Sequence, residues 1–121
     1  LNSWYHAKSS TNKWGGSPED YLPIHEFIDS SKRFIGDARH RMFYHHTEGC
    51  WMAQDKFGVT IKVGSRDVPV REIAQQHIEE DLGWLPSVTD YVEGVPLRPW
   101  MTGKKMRVMG SPDDIFGGNN E

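Results

Sequence analysis

The chain has 121 residues, enough for one domain that buries its own core. Lys and Arg number 14 against 17 Asp and Glu, a near balance that gives no global pull towards nucleic acid or a membrane surface. The single cysteine, Cys50, excludes an intramolecular disulfide and a cysteine-rich zinc finger, and no apolar run approaches the roughly 20 residues that span a bilayer.

One cysteine fits a reducing compartment, and Leu1–His6 has neither a basic nor an apolar leader region, so a cytoplasmic location without a signal peptide is expected. The segment to Gly16 is aromatic and polar, with no clear period. Ser17-Pro18-Glu19-Asp20 then reads as a helix start, with Ser17 as N-cap, Pro18 at the first helical position and acids in the first turn. Pro23 offers a competing start, because an interior proline breaks a helix. Tyr21, Ile24, Phe27, Ile28, Phe34 and Ile35 recur at helical spacing up to Gly36.

Asp37 is placed to cap a second helix, expected from about Ala38 to Phe57 and stopped by Gly58. The period then changes. Val59 to Val63 is β-branched and alternating, Gly64 to Asp67 is turn material, and Val68-Pro69-Val70 returns as a short strand. A lone hairpin is marginal, so it must pack on the helices or on a second copy of the chain, which makes a homodimer one expectation. A third helix is expected from about Val70 to Leu82, ended by Gly83, and Ser87-Val88-Thr89-Asp90 resembles a capping box for a further short one. The expected fold is therefore mainly α, with three to four helices around one core and a small β-hairpin between the second and third. It occupies residues 1–100, followed by a Gly/Pro-rich, poorly ordered tail over 101–121.

Six histidines stand out, because imidazole is the usual metal ligand and proton carrier near neutral pH. At about 100° per residue, an unbroken second helix puts Met42, Phe43, His46, Gly49, Cys50, Ala53 and Phe57 on one face. His46 then points to the core while His40 and His45 fall on the flanks. On the third helix, Ile73, Ala74, His77, Ile78 and Asp81 share the apolar face. An interior carboxylate is expensive unless it is paired or bound to a cation. His25 and Asp29, also four apart, lie on a flank of the first expected helix.

Two imidazoles and a carboxylate, His46, His77 and Asp81, form a facial ligand set suited to Fe(II), Mn(II) or Zn(II), with His25 or His6 as a further ligand. The bland alternative is a buried His77–Asp81 pair and a core His46 bonded to a backbone carbonyl. No His-Glu-x-x-His, His-Asp dipeptide or Glu-x-x-His element occurs, since Phe43 and Ala74 stand three residues before His46 and His77. Metal-free acid–base chemistry is a further option, using His40, His45 or His46 with Glu48, Asp37 or Asp81. Arg39 and Arg41, with Lys32, Arg33 and His45, would suit a phosphoester beside such a site, or simply form a solvated cationic face. The aromatic stretch from Trp4 to Ser10 and the basic group between Arg98 and Arg107 are the features that nucleic acid would use, and the overall acidity argues against it.

His6-Ala7-Lys8-Ser9-Ser10, Lys13-Trp14-Gly15-Gly16, Ile24-His25-Glu26-Phe27, Asp37-Ala38-Arg39-His40-Arg41, His45-His46-Thr47-Glu48-Gly49, Phe57-Gly58-Val59-Thr60-Ile61 and Val68-Pro69-Val70-Arg71 occur in this order. Together they resemble a small family of uncharacterised proteins of bacteria and phages, including phages of marine bacteria. The resemblance spans roughly residues 3 to 92. It implies an intracellular, phage-related accessory protein and no particular activity. The leading functional expectation is a metal-binding protein acting as a metal-dependent hydrolase on a phosphoester, with His45, Arg39 and Arg41 near the substrate. The alternative is a non-enzymatic interaction module whose histidines make buried hydrogen bonds.

Overall fold

The computed structural model describes residues 2–103. It is mainly α: helices α1 (Ser3–Trp14), α2 (Pro18–Ile28), α3 (Thr47–Phe57) and α4 (Val70–Leu82) surround one core, and the short α5 (Val88–Val92) adds no buried residue to it. A two-stranded antiparallel hairpin, β1 (Thr60–Val63) and β2 (Arg66–Pro69), lies between α3 and α4. Short 3-10 turns cover Ser30–Arg33, Ala38–Met42 and Pro99–Thr102. The expected C-terminal tail lies, from residue 104 onward, outside the described residues. Among those residues no helix is long and apolar enough to cross a membrane.

Helix α1 corrects the expectation of an irregular N-terminal segment. Asn2 caps it by accepting from the Tyr5 N–H at 3.1 Å, and Gly15, at φ 90°, ends it. Its buried residues are His6, Ala7, Ser10 and Trp14, spaced as one helical face. Because two of the four are polar, this face carries no hydrophobic period. Helix α2 runs through Pro23, whose side chain is exposed, so the missing N–H falls on the solvent side. Tyr21, Ile24, His25 and Ile28 turn inward.

The helix expected over Ala38–Phe57 is broken. A 3-10 turn ends at Met42, residues 43–46 reverse direction, and α3 starts afresh with His46 as N-cap in extended backbone, φ −161° and ψ 173°. Two things hold the break. The Thr47 N–H donates to the Pro86 carbonyl at 2.9 Å, which ties the start of α3 to the loop before α5. The Tyr44 carbonyl also packs onto Gly49, where a Cβ would come within 2.6 Å of the Tyr44 carbonyl carbon.

The hairpin pairs Ile61 with Val68 and Lys62 with Asp67 around Gly64, which adopts φ 63° in the two-residue turn. It packs on its own chain: Val63 and Val68 are buried, and the Arg66 Nη1–H donates to the Trp14 carbonyl at 2.7 Å at the end of α1. Helix α4 follows directly and presents Val70, Ile73, Ala74, His77 and Ile78 inward, as its period predicts.

Candidate metal centre

Four side chains from three elements converge on one buried point. Asp29 is the C-cap of α2, His45 comes from the reversal before α3, and His77 and Asp81 lie one turn apart on α4. Their donor atoms all lie within 4.8 Å of one another. His77 Nε2 is 3.2 Å from Asp29 Oδ1 and 3.3 Å from Asp81 Oδ2. His45 Nε2 is 2.9 Å from Asp81 Oδ2 and 3.5 Å from Asp29 Oδ1. Ligands about 2.1 Å from one ion stand about 3.0 Å apart at right angles and about 3.4 Å apart in a tetrahedron. The four imidazole–carboxylate separations have that size.

Hydrogen bonding behind the centre sets the tautomers. The Gln76 amide nitrogen donates to the His6 carbonyl at 3.1 Å and to Glu80 Oε1 at 2.8 Å, which leaves its oxygen to accept. The Ser10 hydroxyl donates to that oxygen at 2.5 Å, so Ser10 accepts from His25 Nε2–H at 2.8 Å. His25 Nδ1 is then the bare nitrogen, and His77 Nδ1–H donates to it at 3.0 Å. A neutral His77 consequently turns its Nε2 lone pair towards two carboxylates. Such an arrangement calls for a cation, either a second proton on His77 or a metal ion.

The acidities agree. Burial opposes charge on His77, yet hydrogen bonds to Asp29 and Asp81 outweigh it and raise its pKa. For Asp29 and Asp81 burial again works against the charged form. The His77 hydrogen bond for Asp29, and those from His45, His6 and His77 for Asp81, hold both carboxyls well below the usual range. Burial lowers His45, and burial with the neighbouring His77 and His6 lowers His25 to about 2.

Of the residues expected to be ligands, His77 and Asp81 enter the centre. His6 stands beside it, with Nε2 3.1 Å from Asp81 Oδ1 and Nδ1 2.7 Å from Glu80 Oε1, and its ring stacks on His77 at 3.7 Å between centroids. His25 lies one layer behind, bonded to His77 through its ring. His46 lies elsewhere: its Nδ1 accepts from the Gly49 N–H at 3.0 Å and its Nε2–H donates to the Met42 carbonyl at 3.0 Å. It caps a helix, and both ring nitrogens are satisfied. His45, expected near a substrate, is a member of the group itself, and it is fully buried rather than on a solvated flank. Arg39 is exposed and bound to Asp37 at 2.8 Å, while Arg41 is half-buried, its Nε without a partner among the described residues.

Asp29 was legible only as a partner of His25. Two signals marked it: the His-x-x-x-Asp spacing of His25–Asp29 repeats in His77–Asp81, and a carboxylate at a helix C-terminus opposes the macrodipole unless a cation compensates. Lys32 Nζ, 3.3 Å from Asp29 Oδ2, supplies part of that compensation.

A family model described as a domain of unknown function (DUF6915) matches residues 1–101. The chain belongs to this family. The matched span contains every residue of the centre. No curated protein and no solved structure matches the chain.

Two expectations follow for this DUF6915 domain. His46→Ala removes the cap of α3 and should lower stability by about 1–2 kcal/mol, as read by urea denaturation. The second concerns pH. Unfolded histidine titrates near 6.5, whereas folded His25 stays neutral down to about 2. The unfolded chain thus binds the extra proton below 6.5, so the His25 contribution is complete above that pH and shrinks as pH falls. His45 acts in the same sense; His77, with its raised pKa, contributes fully below 6.5 and loses its part as pH rises. Between pH 6 and 5 the metal-free chain should lose about 1 kcal/mol per pH unit through His25, and His25→Gln should flatten that slope. An unchanged slope in the variant would rule this account out.

Proposed function

We propose that the chain is a metalloprotein that holds one divalent first-row ion, Zn(II), Fe(II) or Mn(II), with Asp29, His45, His77 and Asp81. The observation that carries this reading is the placing of His77 Nε2, buried and with its Nδ1 bonded to His25, against two carboxylates that His45 Nε2 also faces. The donor set is nitrogen and oxygen, without thiolate, which suits a Lewis-acid ion.

Hydrolysis of a phosphoester is the reaction we propose for it. An ion of this class polarises a phosphoryl oxygen and lowers the pKa of a bound water. Lys32, half-exposed beside Asp29, is the cation best placed to meet an anionic substrate there; Arg39 is committed to Asp37. Near-complete burial of the four donors favours a second reading, in which the ion is structural and pins α2 and α4 to the reversal before α3.

Elemental analysis of the tag-free chain tests the common core of both readings. About one ion per chain is expected, lost in His77→Ala and Asp81→Ala. No stoichiometric metal, with variants that merely melt earlier, would refute it. Turnover in a phosphoester panel that follows metal content supports the hydrolase. A loaded chain that turns over none of them, yet melts earlier on chelation, supports the structural ion.

A further inference from the structure

We infer that His40 is a fifth ligand of this centre, making the donor set three imidazoles and two carboxylates and favouring a five- or six-coordinate ion over a closed tetrahedral zinc. The inference rests on the metal-binding reading and adds a residue outside the four-residue group.

His40 is 5 % exposed and belongs to the 3-10 turn Ala38–Met42. Its Nδ1 is 2.9 Å from the Asp37 carbonyl, which can only accept, so this nitrogen carries the hydrogen. In the neutral ring the lone pair is therefore on Nε2. That atom is buried, has no hydrogen-bond partner among the described residues, and lies 3.7 Å from Asp29 Oδ1. Two acceptors face each other at a separation too long for a hydrogen bond. Left so, a buried unpaired nitrogen against a carboxylate costs free energy on both sides. A shared cation removes the conflict. For bonds of about 2.1 Å, two ligands 120° apart around one ion stand about 3.6 Å from each other, a spacing found in the equatorial plane of a five-coordinate site.

The backbone around His40 is anchored as a ligand's would be. The Ser31 hydroxyl, buried two residues after Asp29, donates to the His40 carbonyl at 2.8 Å, tying the two ligand-bearing turns together. The carbonyl bond to Nδ1 is the outer contact that usually orients a metal-bound imidazole. The His40 and His45 rings meet edge to face at 5.5 Å. Structural zinc is almost always four-coordinate, whereas five nitrogen and oxygen donors match the five- and six-coordinate habit of Fe(II), Mn(II) or Co(II) and leave one octahedral position open.

The test loads the full-length, tag-free chain with Co(II) and compares it with His40→Asn, whose amide keeps a donor for the Asp37 carbonyl but lacks the distal nitrogen. The wild-type chain should bind one Co(II) with the weak visible absorption of a five- or six-coordinate ion. In His40→Asn, chelator competition should show binding weakened by at least about 10- to 100-fold, with stronger, tetrahedral-type bands. A merely structural role for His40 would leave those bands unmoved. Wild-type binding with intense tetrahedral bands, or a folded His40→Asn with unchanged affinity and spectrum, overturns the fifth ligand and leaves the four-residue centre standing. Absence of any Co(II) binding by the wild-type chain overturns the centre and this inference together. Should the variant fail to fold, imidazole scattering in X-ray absorption of the loaded wild-type chain decides. Three histidines support the inference and two overturn it.

Discussion

Asp81→Asn is expected to abolish stoichiometric metal binding and, with it, the largest ligand-dependent part of the chain's stability. Asp81 uses both carboxylate oxygens: Oδ1 meets His6 at 3.1 Å, and Oδ2 faces His45 at 2.9 Å and His77 at 3.3 Å. Asparagine matches it in shape but supplies no anionic oxygen, and one of its two terminal atoms is a donor turned towards imidazole. An ion present at a thousand times its dissociation constant stabilises the folded state by about 4 kcal/mol. For a domain of this size that corresponds to a rise in Tm of roughly 12–20 °C. The wild-type melt should shift by that order on adding Zn(II), Mn(II) or Fe(II) under anaerobic conditions, and the Asp81→Asn melt should not move. Equal shifts in the two proteins would show that the ion binds elsewhere.

The second large effect concerns a residue that touches no ligand. Were Ala38–Phe57 one continuous helix, Gly49→Ala would stabilise it by about 1 kcal/mol, because glycine is a poor interior helix residue. The broken arrangement reverses the sign. A Cβ at Gly49 would meet the Tyr44 carbonyl, with the carbonyl carbon at 2.6 Å and Cα at 2.8 Å, and these are backbone atoms that no rotamer change relieves. Overpacking of this kind costs about 1–3 kcal/mol and occasionally more. Gly49→Ala should therefore destabilise the chain by about 3 kcal/mol in urea denaturation. It should also weaken metal binding, since the displaced reversal carries His45. A neutral or stabilising result would mean that the reversal at 43–46 is not held as described.

Wherever local chemistry decides, the sequence was enough. The α4 boundaries, the inward face with His77 and Asp81, the Ser17 and Ser87 capping boxes and the hairpin after Gly58 depend on hydrophobic period, caps and turn residues, all encoded within a few positions. The same reasoning failed on α1, because its inner face includes His6 and Ser10 and so has no apolar rhythm. It failed more consequentially on residues 38–57, where a helical phase carried across an unseen break turned His46 inward and His40 and His45 outward. The structure reverses two of the three: His40 and His45 are buried beside Asp29, while His46 is buried as expected but caps α3 and bonds the Met42 carbonyl.

By itself, then, the sequence determined a mainly helical chain with a hairpin and one His–Asp pair that had to be compensated in the interior. Tertiary structure alone decided which groups compensate it. The Tyr44 carbonyl on Gly49 and the Thr47–Pro86 hydrogen bond reverse the chain against its local helical tendency. The donors also arrive from separate elements, so their convergence depends on packing between α2, α4 and the reversal rather than on any spacing along the chain.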